Sequence, residues 1–65
     1  MNRFTDRQKK IIKEIHNSNT FITGKSLSLI LNVSLRTIQS EVSAINKVLH
    51  LILSTNRGYK IDDNL

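Results

Sequence analysis

The chain has 65 residues, enough for one small domain that buries only about 60% of the surface its unfolded chain exposes. It contains no cysteine, which excludes disulfides and cysteine-ligated metals, and no apolar run approaches the roughly 18 residues of a membrane span. The formal net charge of +5 favours an anionic partner, because between residues 15 and 61 the only acid is Glu41.

The first predicted helix begins after Thr5, which forms a capping box with Gln8 three residues later. Apolar residues then recur at helical spacing, which predicts a buried stripe made of Ile11, Ile12 and Ile15. The polar segment HNSN, residues 16–19, ends this helix. The next three residues, FIT, are short and β-prone and predict a strand.

Thr23 is the predicted cap of a second helix, with Ile22 and Leu27 placed as a hydrophobic staple. Its inward residues are predicted to be Leu27, Ile30 and Leu31, whereas Leu29 falls off that face. Asn32 ends the helix, because Asn tolerates the left-handed conformation that a sharp turn requires. Ser34 caps a third helix only two residues later, and this helix can continue to about His50. Two capped helices joined by so short a turn predict a helix-turn-helix.

The C-terminal part of the chain predicts a hairpin, because two β-prone segments, ILS and GYKI, flank TNR, residues 55–57. The predicted fold class is therefore mainly α (α+β), a winged helix-turn-helix with a three-helix core and a small three-stranded β-wing. It occupies residues 1–65 as a single domain, which we expect to be the N-terminal part of a longer protein. Tyr59 is expected to pack across the hairpin against the third helix.

The third helix separates into two faces when its residues are placed at about 100° intervals. The inward arc contains Ile38, Val42, Ile45 and Leu49, with Leu35 at its margin. The outward arc contains Arg36, Ser40, Ser43 and Lys47, with Gln39 and Thr37 on either side. Glu41 lies toward the core side, where we expect it to serve structure or a neighbouring Lys or Arg.

The outward arc carries the chemistry that the DNA major groove accepts. Arg donates two hydrogen bonds to guanine, and Gln forms a bidentate pair with adenine. Short Ser and Thr side chains permit close approach and can contact bases or phosphates. The wing tip, with Arg57 and then Lys60, could contact phosphate or the minor groove, and Lys25 at the start of the second helix is placed for phosphate. The predicted DNA-binding residues are Ser34, Arg36, Thr37, Gln39, Ser40, Ser43, Lys47, Arg57, Lys60 and Lys25.

Simpler interpretations of the same residues stay open. Ser34 could act only as a helix cap, Ser40 and Ser43 could be ordinary surface, and Arg57 could be part of a solvated turn. His16 and His50 have no metal-ligand spacing between them, so no metal site is predicted. No nucleophile–base pair or phosphate-binding glycine loop is present either, and the sequence predicts neither an enzyme nor a cofactor.

Two segments carry a family resemblance: ITGKSLSLILNVSLRTIQSEVSAINKVL, residues 22–49, and ILSTNRGYKI, residues 52–61. They resemble the N-terminal winged-helix domain of bacterial transcriptional regulators of the BglG and mannitol-regulator type, and of Mga-like regulators. The most specific parts are VSLRTIQSEV, the pair Ile45 and Asn46, and the wing ending GYKI. The resemblance covers roughly residues 7–61.

The resemblance implies a sequence-specific double-stranded DNA-binding head, with recognition helix 34–50 in the major groove and wing 55–60 on backbone or minor groove. It implies a cytoplasmic regulator of sugar-uptake or metabolism genes, with no membrane partner. Dimerisation would come from C-terminal domains that phosphotransferase-system proteins phosphorylate. Although some relatives are called antiterminators, the winged-helix pattern implies DNA and not RNA. Two alternatives remain: the regulatory head of a bifunctional biotin ligase, and a winged helix that binds protein through Leu29 and residues 48–53.

Overall fold

The computed structural model describes residues 3–62, so the ends of the predicted domain, residues 1–2 and 63–65, lie outside the described residues. Three helices are followed by a β-hairpin, and the elements in chain order are α1 Asp6–Asn17, α2 Gly24–Leu31, α3 Leu35–Val48, β1 Ile52–Thr55 and β2 Gly58–Ile61. This architecture is consistent with the predicted winged helix-turn-helix.

Each helix begins at the predicted cap. The Oγ1 atom of Thr5 accepts a hydrogen bond from the backbone N–H of Gln8 at 3.1 Å, and the Oε1 atom of Gln8 accepts one from the N–H of Thr5 at 3.0 Å. Thr23 and Ser34 cap α2 and α3 in the same way, each through its side-chain oxygen. These bonds satisfy backbone donors that the first turn of a helix leaves unpaired.

The turn between α2 and α3 is as short as predicted. Asn32 adopts the left-handed conformation, with φ 57° and ψ 47°, and ends α2. The N–H of Val33 donates to the carbonyl of Ser28 at 3.0 Å, which closes the turn, and Ser34 then caps α3. Asn is one of the few non-glycine residues that adopts this conformation at little cost.

Among residues 3–62 the core contains seven buried residues, contributed by all three helices and β1: Ile11, Ile15, Leu27, Ile38, Val42, Ile45 and Ile52. The expectation that Ile30 faces inward was wrong, because its side chain is 50% exposed. Leu27 and Leu31 define the inward face of α2, and Ile30 lies to one side of it. Leu29 is 74% exposed, as predicted.

The third helix ends earlier than predicted. α3 stops at Val48 and not at His50, with Leu49 in an extended conformation as its C-cap. Leu49 is 47% exposed, so its predicted place in the core was also wrong. The cause is Asn46, whose Oδ1 atom accepts the N–H groups of Leu51 and Ile52 at 3.1 and 3.0 Å. This side chain turns the backbone out of the helix toward β1.

The wing has two strands and not the three predicted. β1 and β2 pair antiparallel, with Ile52 opposite Ile61 and Thr55 opposite Gly58. The expected third strand, residues 21–23, contributes a single bridge, in which Ile22 and Tyr59 exchange backbone hydrogen bonds of 2.9 and 2.7 Å. The strand cannot extend beyond Ile22 toward the C-terminus, because the next residue, Thr23, already caps α2.

Gly58 is required for this bridge. Its φ of +124° is a conformation that L side chains rarely adopt, and a Cβ at this position would lie 2.5 Å from the carbonyl oxygen of Ile22. The neighbouring Tyr59 is half-buried against the core, and its ring lies beside Gly24 at the start of α2. The wing is therefore held at the N-terminal end of α2.

Candidate nucleic-acid interface

Five polar residues of α3 lie together on an exposed face, away from the seven-residue core. They share this open surface with two less polar neighbours, and its lining residues are Leu35, Arg36, Gln39, Ser40, Ser43, Ala44 and Lys47. The surface, which we call the α3 face, follows from the apolar period, because a helix that packs through one arc exposes the opposite one. It carries two cations and no acid.

The single acid of α3 is directed elsewhere. Glu41 accepts a hydrogen bond from Nε2 of Gln8 at 3.1 Å, and its other oxygen lies 3.6 Å from Nη1 of Arg7. Its side chain is 20% exposed. Glu41 therefore ties α3 to α1, as expected from its position toward the core, and its negative charge is paired with a cation off the α3 face.

The first turn of α3 uses some of its hydroxyl groups internally. The Oγ atom of Ser34 accepts the N–H of Thr37 at 3.1 Å and lies 2.9 Å from the Oγ1 atom of Thr37. The cap role of Ser34 is therefore present, and Thr37 is half-buried. Neither residue lines the α3 face. Their contact with DNA stays a prediction. The hydroxyl groups of Ser34 and Thr37 are partly used in the cap, which leaves them less free to bind DNA than those of Ser40 and Ser43.

Lys25 is exposed in the first turn of α2. The start of α2 also meets the start of α3, since a Cβ on Gly24 would lie 2.7 Å from Cδ1 of Leu35. A cation and the positive end of a helix thus lie near the N-terminal end of the α3 face. This arrangement is compatible with a phosphate beside the first turn of each helix.

The wing presents Arg57 at an exposed turn between β1 and β2. Thr55 shapes that turn, because its Oγ1 atom accepts the N–H of Arg57 at 3.1 Å and donates to the carbonyl of Gly58 at 3.0 Å. Lys60 lies apart from the tip: its Nζ is 5.8 Å from the centroid of the Phe21 ring, within cation–π range. Its predicted role in DNA binding is untested.

Two residues of the α3 face were not among the predicted site residues, namely Leu35 and Ala44. Leu35 is 46% exposed although it is apolar. The helical period places Leu35 at the margin of the inward arc, and that marginal position was the available signal. Ala44 has too small a side chain to give one.

Other kinds of site are not evident in the part of the chain that the structure describes. Between residues 3 and 62, no three His, Cys, Asp or Glu side chains are grouped so that they could hold a metal ion. Within the same residues, no helix combines the length and the apolar character needed to cross a bilayer. Nor does this part bury a polar or charged residue.

The comparison with protein families agrees with this geometry. No curated protein matches the chain. A family model described as an HTH domain matches residues 7–60, which include α2, α3, all of α1 except its first residue, and most of the hairpin. An HTH domain implies DNA binding, and such domains are typically non-catalytic. The match covers most of the chain, and the protein therefore belongs to the HTH domain family.

Proposed function

We propose that this chain binds double-stranded DNA sequence-specifically, with α3 in the major groove and the wing on the backbone or minor groove. The observation that carries the proposal is the α3 face, where Arg36, Gln39 and Lys47 are exposed side by side with short hydroxyl side chains. The acid-free character of this surface favours a polyanion. A major groove about 12 Å wide admits such a helix.

Each part of the face has a distinct role in this proposal. Arg36 pairs with a guanine and Gln39 with an adenine, since both side chains form bidentate contacts with base edges. The short side chains of Ser40 and Ser43 permit close approach of the helix to the groove and contact bases or phosphates. Lys47, near the C-terminal end of α3, supplies a phosphate contact. Further contacts outside this face are assigned to Ser34, Thr37, Lys25, Arg57 and Lys60.

A chemical-shift titration tests the proposal directly. Amide resonances of the domain are followed while a short random-sequence duplex is added at low salt, and the titration is repeated at higher salt. We expect the shifts to cluster on residues 34–43 and 55–60 and to fade with salt, because phosphate contacts release counterions. Binding by Arg36→Ala should be weaker than binding by Lys13→Ala, which removes the same charge from α1. No shifts at low salt would overturn the proposal.

We infer further, from the resemblance to BglG-type and Mga-like regulators, that the domain is the head of a bacterial transcriptional regulator of sugar-uptake or metabolism genes. One small recognition surface gives modest affinity, so a dimer formed through other domains would bind two half-sites. Phosphotransferase-system proteins are the expected regulators of such a protein. Footprinting with the intact regulator tests this, since two protected half-sites one or more helical turns apart are expected.

A protein-binding function is the second candidate, because several large apolar side chains are exposed. Leu29 is 74% exposed, and Val48 and Leu49 are 44% and 47% exposed. Under this alternative the cations of the α3 face have no evident use. The same titration separates the two functions, since a protein-binding module would show no salt-sensitive response to DNA.

A further inference from the structure

Leu35 is an apolar side chain in an otherwise polar part of the molecule. It is the first residue of α3 and is 46% exposed. It shares the α3 face with Arg36 and Gln39, and Gln39 is one helical turn further along the same edge. About half of the surface of Leu35 is therefore left exposed to solvent.

The buried part of Leu35 lies against the start of α2. A Cβ on Gly24 would lie 2.7 Å from Cδ1 of Leu35 and 3.3 Å from Cε2 of Tyr59. The absence of a side chain at Gly24 therefore creates the space that Leu35 occupies. The remaining surface of Leu35 is exposed on the α3 face beside Arg36.

We propose that Leu35 contacts the C5 methyl group of a thymine and so contributes to base recognition. The inference rests on the proposed docking of α3 in the major groove. Thymine presents the one alkyl group among the base edges of that groove, and apolar side chains are the groups that contact it. Leu35 thus extends the recognition surface from hydrogen bonding to an apolar contact.

The position of Leu35 also suits this contact. It lies where the first turns of α2 and α3 meet, which is the part of the surface near the phosphate contact expected of Lys25. The thymine methyl lies on the side of the groove close to the sugar–phosphate backbone of its own strand. With Gln39 pairing to adenine one turn further on, Leu35 and Gln39 together favour A·T pairs at neighbouring positions.

The test removes methyl groups from DNA one at a time. A preferred site is first selected from a random duplex library with the unmodified chain. Each thymine of that site is then replaced singly by deoxyuridine, which lacks only the methyl group, and the Kd is measured for each duplex. Loss of one buried methyl contact should weaken binding about fourfold at one thymine.

Three variants show whether Leu35 contacts that methyl group. Leu35→Ala should bind the thymine and deoxyuridine duplexes equally, whereas Leu29→Ala, which removes another exposed leucine, should keep the fourfold difference. Leu35→Met keeps a large apolar side chain and should keep most of the fourfold difference in Kd. It therefore tests the contact with a variant that is less prone to a folding defect than Leu35→Ala. Circular dichroism confirms that each variant is folded.

The outcomes separate this inference from the function on which it rests. If no sequence is enriched, the proposed sequence-specific binding fails and the inference fails with it. If a site is enriched but no thymine is sensitive to loss of its methyl group, only the inference fails. The same holds if the fourfold difference survives unchanged in Leu35→Ala.

Discussion

The junction between α3 and the wing depends on one side chain. Asn46 accepts the N–H groups of Leu51 and Ile52 at 3.1 and 3.0 Å and donates to the carbonyl of Ile52 at 2.9 Å. The Asn46→Ala variant removes all three bonds and leaves three part-buried backbone groups without this partner. At about 1 kcal/mol for each bond, the free energy of unfolding should fall by about 3 kcal/mol.

A loss of that size is large for so small a domain. A chain of this length is expected to have a stability of roughly 3–10 kcal/mol, so the variant should be close to its unfolding limit. At about 4–8 °C for each kcal/mol, the Tm should fall by roughly 12–24 °C in a thermal unfolding experiment. Secondary structure followed by circular dichroism provides the measurement.

A control variant shows whether the loss of stability is specific to the junction or follows from replacing any asparagine by alanine. Asn17→Ala replaces an exposed asparagine at the last position of α1 and should change the stability by no more than about 0.5 kcal/mol. If Asn46→Ala lowered the Tm by less than about 4 °C, water would be replacing the three bonds. That result would refute the reasoning that the three bonds of Asn46 stabilise the junction.

Three further predictions concern the interface and the elements that support it. Arg36→Ala should weaken DNA binding by about 1–3 kcal/mol and relax specificity at one base. Lys47→Ala should weaken binding to all sequences and, in titrations at several salt concentrations, lower the salt slope by about 0.9. If both variants bind DNA as the parent does, the proposed docking of α3 is wrong. Gly58→Ala should lower the free energy of unfolding, measured with denaturant, by about 3 kcal/mol, because position 58 has a positive φ and lies against the Ile22 carbonyl. Gly24→Ala should lower it by less than about 1 kcal/mol, because the half-exposed end of Leu35 can move. Similar losses in the two variants would contradict this reasoning. Glu41→Ala should lower the free energy of unfolding by about 1–2 kcal/mol, because it removes the bonds from Glu41 to α1. Glu41→Gln should lower it less. An unchanged Tm for Glu41→Ala would mean that the contact between Glu41 and α1 contributes nothing to stability.

Much of the candidate site could be predicted from the sequence because the relevant pattern is periodic. The apolar residues Ile38, Val42 and Ile45 define the buried arc of α3, and any side chain opposite that arc must face water. The exposure of Arg36 and Lys47 followed from that period alone. The partners of Glu41 did not, because Gln8 lies 33 positions earlier in the chain. Contacts at such a separation depend on how α1 packs against α3.

The helix starts and the turn were determined by the sequence itself. Thr5, Thr23 and Ser34 each bond to a backbone N–H three residues later, and Asn32 needs only its own conformational preference. Interactions of this range form wherever the chain places these residues together, with little help from the rest of the molecule.

Tertiary structure alone decided the features in which one element of the fold competes with another. The backbone at Ile22 can pair with one residue of the wing before α2 begins, so the third strand is reduced to a bridge. Leu49 has the correct helical spacing for the core, but Asn46 redirects the chain after Val48. Leu35 is half exposed because only the space above Gly24 receives it. In each case the preference of one element was real, and its contact with the next element decided the outcome.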